Sequence, residues 1–276
     1  MSVGDSIRRL RFHSKLLRRP LVLYRHRGIS DEDAFLISYP RSGTTWLRFL
    51  LSEALTGEEP GFERDSNALH YVGDHLTAPR ILPTGGRLIF SHEKVSIPPH
   101  KVIYVVRDPR SVVISEFRWL LRRNLHSGDL DNFVDRFVRG RTNPWGSWEA
   151  HVNYWVSSAS ARGGKVHLVT YEKLRTETLD MLKKALAFLG SARDRSVLLA
   201  AVEHNSLEKM RQKEVSAPDS AFERGTIRAT GKFINTGKTA GWREALDPNQ
   251  VARIEEAFFP TMHRLGYIPE TATRLP

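Results

Sequence analysis

Ala34-Phe-Leu-Ile-Ser38, Tyr39-Pro-Arg-Ser-Gly-Thr44 and Thr45-Trp-Leu-Arg-Phe-Leu-Leu-Ser-Glu-Ala-Leu55 follow one another without interruption. A short apolar run, a break carrying proline and glycine, and the start of a helical pattern read as strand, tight loop and helix. That arrangement can cradle a phosphate. Gly43 lets the backbone approach a ligand, the amides of the helix N-terminus point at it, and Ser42, Thr44 and Thr45 add hydroxyl donors. Arg41 adds positive charge. The nucleotide P-loop pattern G-x-x-x-x-G-K-[ST] is not met, because the first glycine is missing and no lysine follows Gly43. A nucleoside-triphosphate kinase is therefore disfavoured, although a P-loop nucleotide kinase stands as the rival enzyme.

Working outward, Arg87-Leu-Ile-Phe-Ser91 and Lys101-Val-Ile-Tyr-Val-Val106 are two more apolar runs, and a helical stretch follows from about Pro109 to Arg123. Lys165-Val-His-Leu-Val169 reads as another strand before a helix ending near Gly190. Asp247-Pro-Asn-Gln250 places a cap, a first-turn proline and a box-closing amide at the start of the last helix. Short apolar strands alternating with longer helices predict a single α/β domain, with a mostly parallel central sheet flanked by helices. The polar segment Thr56 to Gly86 is expected to form a variable pocket wall. Gly225 to Gly241, rich in glycine, threonine and basic residues, reads either as a mobile, anion-seeking loop or as a connection with incidental charge.

Composition narrows the class. The chain has 276 residues, 40% hydrophobic and 26% charged, which suits one large domain with a sizeable core. With no cysteine there is no disulfide, no thiolate zinc site and no catalytic thiol. The formal charge of +11 favours anionic partners. Much of it sits at the N-terminus, where Arg8, Arg9, Arg11, Lys15, Arg18, Arg19, Arg25 and Arg27 face the lone acid Asp5. Residues 1–30 are thus expected to form a basic arm and residues 31–276 the catalytic domain. Ile7, Leu10, Phe12, Leu16 and Leu17 punctuate the arm at loosely helical spacing, so it reads either as a solvated flank or as a helix for peripheral membrane contact. The apolar stretch Pro20 to Tyr24 is too short to span a bilayer, and a cytoplasmic location is expected.

The string Tyr39-Pro-Arg-Ser-Gly-Thr-Thr-Trp46 resembles the 5′-phosphosulfate loop of the sulfotransferases that use 3′-phosphoadenosine 5′-phosphosulfate (PAPS). Val105-Val-Arg-Asp-Pro-Arg-Ser-Val-Val-Ile-Ser115 is similar to that family's 3′-phosphate segment, and the resemblance assigns this phosphate to Arg107 and Ser115. An arginine fork suits a phosphate; read alone, Arg107-Asp108 would be a surface ion pair. Tyr171-Glu-Lys-Leu174 and Val202-Glu-His-Asn-Ser-Leu-Glu-Lys-Met210 resemble nucleotide-side segments, which implies that Tyr171, Ser206 and Leu207 lie near the adenine. Asn235-Thr-Gly-Lys-Thr-Ala-Gly-Trp242 aligns with the last element through Gly237 and Trp242. There Asn235 and Thr236 stand where the family usually has arginine and lysine; either Lys238, Lys232 or Arg228 compensates, or the loop holds PAPS more weakly. The resemblance covers about Phe35 to Trp242.

It implies sulfuryl transfer from PAPS, released as 3′-phosphoadenosine 5′-phosphate (PAP), onto the hydroxyl of an alcohol, phenol or sugar, with no metal required. Arg41, Ser42, Gly43, Thr44, Thr45 and Trp46 would bind the donor, and His92 in Phe90-Ser91-His92-Glu93-Lys94 matches the family's general base. An imidazole titrating near neutrality suits proton removal from a hydroxyl. Glu93 is a rival base. Phe90 occupies the place of a frequent lysine, leaving Arg41 and Lys94 as cationic helpers. The expected partner is a small-molecule or glycan acceptor, not nucleic acid. A non-catalytic polyanion- or membrane-binding protein is the reading from another class.

Overall fold

The computed structural model describes residues 20, 22–24, 27–62, 72, 78–94, 101–157, 165–217 and 239–269. Most of the basic arm and most of the Gly225 to Gly241 stretch, with Arg228, Lys232, Asn235, Thr236, Gly237 and Lys238, lie outside the described residues.

Four short strands, β1 (Ala34–Ser38), β2 (Leu88–Ser91), β3 (Lys101–Val106) and β4 (Lys165–Thr170), form a parallel sheet in the order β2-β1-β3-β4. Ala34 pairs with Leu88 on one side and Lys101 on the other, and Lys101 pairs with Lys165. Every residue of β1 is buried, which explains its unbroken apolar run: both faces of a covered parallel strand need hydrophobic side chains.

The two-residue side-chain period divides that burial between two cores. Phe35, Ile37, Val102, Tyr104 and Val106 face one layer, built from α2 (Pro109–Arg122), α3 (Leu130–Val138), α4 (Trp148–Val156) and α10 (Pro248–Arg264). Leu36, Ile103, Val105 and Val169 face the other, covered by α1 (Thr44–Thr56), α6 (Thr178–Leu189) and α7 (Arg195–His204). Phe133, Phe137, Trp148 and Trp155 are all but inaccessible to solvent, each worth roughly 2 to 3 kcal/mol in burial. The remaining helices described in full are α5 (Tyr171–Thr176), α8 (Leu207–Ser216) and α9 (Trp242–Ala245).

The expected single stretch after β4 is two helices, because Glu177 leaves helical geometry between α5 and α6. The Asp247 cap is present in full: its carboxylate accepts from Gln250 N at 2.9 Å, and the Gln250 side chain accepts from Asp247 N at 3.1 Å. Pro260 lies inside α10, which departs from helical angles at Phe258.

The chain runs from β1 to β2 on one side and then crosses to β3 on the other. This makes the gap between the C-terminal ends of β1 and β3 a switch point, where open α/β sheets hold their ligands.

Candidate active site

The loop leaving β1 turns through two left-handed residues, Arg41 at φ 69° and Gly43 at φ 87°. A side chain other than glycine at 43 would be strained, and its Cβ would lie 2.3 Å from a ring carbon of Tyr171. Glycine is needed there twice over, for the turn and for close approach. Ser42 and Thr44 are buried, Thr45 is half-buried, and the Ser42 Oγ has no hydrogen-bond partner among the described residues. A buried orphan hydroxyl in a loop beside a helix N-terminus fits an oxygen-rich anion.

Opposite this loop, Arg107 leaves the end of β3. Its Nη1 donates to the Arg41 carbonyl at 3.3 Å, its guanidinium lies 4.3 Å from the Tyr171 ring centre, and its own carbonyl accepts from the Trp148 indole at 3.1 Å. The carboxylate beside Arg107 has other work in the structure. Asp108 caps α2 and pairs with Arg110 at 2.7 Å, while Arg110 also reaches Glu255 at 2.5 Å.

Arg41 Nε donates to Ser115 Oγ at 3.2 Å. Ser115, Trp119 and Arg122 recur at helical spacing on α2, and the Trp119 ring lies 5.8 Å from Arg41 and 4.8 Å from Arg123. Burial first, and then the charges of Arg122, Arg107 and Arg123, lower the Arg41 pKa to about 9 against the pull of Glu116. Crowding guanidinium groups is unfavourable until an anion joins them. Arg122 Nη2 is buried with no hydrogen-bond partner among the described residues. Behind Arg41, the buried Glu116 accepts from Asn143 at 2.9 Å, and burial raises its pKa to about 7.

On the Tyr171 side of the loop, the Trp46 indole donates to the Asn205 carbonyl at 2.6 Å, directly before Ser206 and Leu207 at the start of α8. Trp46 and Tyr171 meet edge-on with centres 6.5 Å apart, and Arg175 lies over Trp46 at 5.2 Å. These contacts gather Arg41 to Trp46, Arg107, Ser115, Tyr171, Ser206 and Leu207 around one end of the sheet.

His92 follows β2 at the same end. Its Nδ1 lies 2.6 Å from the Ser38 carbonyl and 3.3 Å from the Ser38 hydroxyl, which accepts from Thr44 Oγ1 at 2.5 Å. A carbonyl only accepts, so Nδ1 carries hydrogen and the neutral ring has its lone pair on Nε2. Phe90 and Trp145 pack edge-on against the imidazole, with centres 4.8 Å and 5.2 Å away. The Glu93 amide donates to Ser91 Oγ, and the Lys94 ammonium lies 5.2 Å from the Tyr154 ring centre. Arg48, buried on α1, brings its guanidinium 4.3 Å from the Phe90 ring.

The sequence reading missed Ser38, Arg48, Trp119, Arg122 and Trp145. Only Trp119 and Arg122 carried a signal, four and seven residues beyond Ser115; the rest lie next to the site through packing alone. Among the described residues no group of histidine and carboxylate side chains could hold a metal, and no helix is long and apolar enough to cross a membrane.

Comparison with known proteins matches the family model described as Sulfotransferase domain to residues 31–266. Sulfotransferase 2A6 of Rattus norvegicus is 27% identical over 256 residues, covering 83% of this chain and 84% of that protein. Among solved structures, the mouse sulfotransferase SULT7A1 complexed with PAP aligns at TM-score 0.67 and 21% identity, over 92% of this chain and 94% of that one. Retinol dehydratase in complex with androsterone and inactive cofactor PAP aligns at TM-score 0.65 and 18% identity, over 92% and 85%. At these identities the structural likeness is one of fold.

Proposed function

The chain belongs to the sulfotransferase domain family and is a PAPS-dependent sulfotransferase, and we propose that His92 takes the proton from its acceptor hydroxyl while the loop from Arg41 to Trp46 and Arg107 hold the donor. Bound PAPS supplies the sulfuryl group and leaves as PAP. The single observation that carries the base assignment is the His92 tautomer: with Nδ1–H given to the Ser38 carbonyl, the basic lone pair belongs to Nε2. The Thr44 hydroxyl, through Ser38, joins this imidazole to the anion loop, so base and donor site share one support.

The orphan Ser42 hydroxyl and the positive-φ turn suit the 5′ end of the donor. Arg107 with Ser115 suits the 3′-phosphate, and Trp46, Tyr171, Ser206 and Leu207 suit the adenine. Asn235, Thr236 and Gly237 keep the phosphate role that the resemblance implies. Arg41 keeps its positive charge at neutral pH even with its pKa lowered to about 9, and so can stabilise negative charge developing on the leaving group. For the acceptor, Phe90 and Trp145 around His92 favour a hydroxyl on a small apolar or ring-bearing body, in keeping with the androsterone bound by retinol dehydratase.

His92→Ala is expected to lower acceptor sulfation by ~10² to 10⁴ with the PAP dissociation constant nearly unchanged. Glu93→Gln should cost far less. Both variants are first matched to the parent in melting temperature. A Glu93→Gln enzyme that loses activity while His92→Ala keeps it would move the base to the carboxylate and favour a glycan acceptor.

A further inference from the structure

A line of buried hydrogen bonds ends on the main chain of His92. Tyr104, inside β3, places its hydroxyl 2.8 Å from His151 Nδ1, and His151 Nε2 lies 2.9 Å from the His92 carbonyl oxygen. Tyr104 and His151 are both fully buried. The carbonyl can only accept, so His151 Nε2 carries hydrogen, and its Nδ1 accepts from the tyrosine hydroxyl. Each bond thereby fixes the direction of the next.

His92 is consequently held through both its ring and its backbone. Its ring nitrogen is tied to Ser38 at the end of β1, and its backbone oxygen is tied to α4. The second tie matters because β2 and its ladder with β1 end at Ser91, one residue before His92. A base in such a loop needs another anchor to hold its nitrogen within a fraction of an ångström of its working place. Burial, the largest influence, holds the His151 pKa near 3 against the opposing hydrogen bond to His92, with the charges of His92 and Lys94 acting in the same sense as burial. A neutral ring keeps the pattern of one donor and one acceptor that the line requires.

We infer that His151 is a positioning residue for the base: its Nε2–H, oriented by Tyr104, anchors the His92 backbone so that Nε2 of His92 faces the acceptor hydroxyl. This rests on the reading of His92 as the base.

The test is steady-state kinetics with saturating PAPS on the full chain, alongside calorimetric titration with PAP. His151→Asn, too short to reach the carbonyl, is expected to lose about 10- to 100-fold in kcat, the scale of a 1 Å misplacement. His151→Gln, whose amide nitrogen can donate in place of Nε2, should recover most of that loss, and Tyr104→Phe should lose only a few-fold. PAP affinity should stay within about twofold of the parent throughout: the His151 ring packs edge-on against Tyr39, at the entrance of the anion loop, but the bonds of the line run to Tyr104 and His92 and not to Arg41 through Trp46. Equal losses in His151→Asn and His151→Gln, or a loss that tracks PAP affinity, would overturn the positioning role. The double variant His92→Ala/His151→Asn separates the two readings. If His151 works through His92, the double is no slower than His92→Ala, and an additive loss refutes the inference. If His92→Ala alone stays active, the base assignment fails. If it is inactive while His151→Asn matches the parent, the base assignment stands and the positioning role falls.

Discussion

Glu116 illustrates how a single buried group can tie stability to pH beside an anion site. It is 2% exposed, one of its oxygens accepts from Asn143, and the other is buried with no hydrogen-bond partner among the described residues. Burial lifts its pKa from the ordinary 4.5 to about 7, despite the bonds from Asn143 and Thr142 and the charge of Arg41. The folded state therefore binds the proton more tightly than the unfolded chain does. The associated stability is fully present below 4.5 and is lost as pH rises through about 7. Across that range the loss is on the order of 3 kcal/mol. Glu116→Gln, which mimics the protonated acid, should melt several degrees above the parent at pH 8.5 and close to it at pH 5. Thermal melts at the two pH values decide it; the same offset at both would mean that ionisation of Glu116 carries no such cost. The residue is invisible to sequence reasoning, because a lone glutamate on a helix usually faces water.

At the scale of elements, β3 and α2 together form the wall that meets the loop after β1. The strand delivers Arg107, the Asp108 cap with Pro109 starts the helix at a defined point, and one face of that helix then carries Ser115, Trp119 and Arg122. Arg107 was legible as a strand-end arginine able to meet an anion, and Ser115, eight residues on, came from the resemblance. The convergence of Arg41 and Arg123 on Trp119 was not legible, because it depends on how α2 lies against the loop after β1. Arg107→Ala is expected to weaken PAP binding by about 10- to 100-fold, the worth of a charged hydrogen-bonded contact, and to weaken binding of the analogue lacking the 3′-phosphate by less than about threefold. Arg122→Ala should give a smaller loss with the same selectivity. Calorimetry on the two nucleotides measures both; equal losses for both ligands would remove Arg107 from the 3′-phosphate.

For the whole molecule, the order β2-β1-β3-β4 brings the ends of β1, β2, β3 and β4 to one edge, so that Ser38, His92, Arg107 and Tyr171 face a common space. An enzyme built around that space should be stabilised by its own nucleotide more than by other polyanions. At a PAP concentration a hundredfold above its dissociation constant, the folded state gains about 2.7 kcal/mol, seen as a rise in melting temperature. ATP and heparin should give much smaller rises at matched ionic strength. A rise with heparin equal to that with PAP would favour general polyanion binding over a built donor site.

Neighbouring residues were enough to mark the four strands, several of the helices and the place of the anion loop. Apolar runs of strand length, the glycine of a left-handed turn, and proline- or aspartate-capped helix starts are all written in neighbouring residues. The sequence also pointed to His92 through the company of Phe90 to Lys94 between two motifs. Only the tertiary structure decided which nitrogen of His92 holds its hydrogen, and what holds His92. The partner of its backbone, His151, lies 59 positions away, and Trp148-x-x-His151 within a helix reads as ordinary core. Such partners are chosen when α4 packs on β3 and buried polar groups must find donors and acceptors, a condition set by three-dimensional proximity that no local pattern encodes.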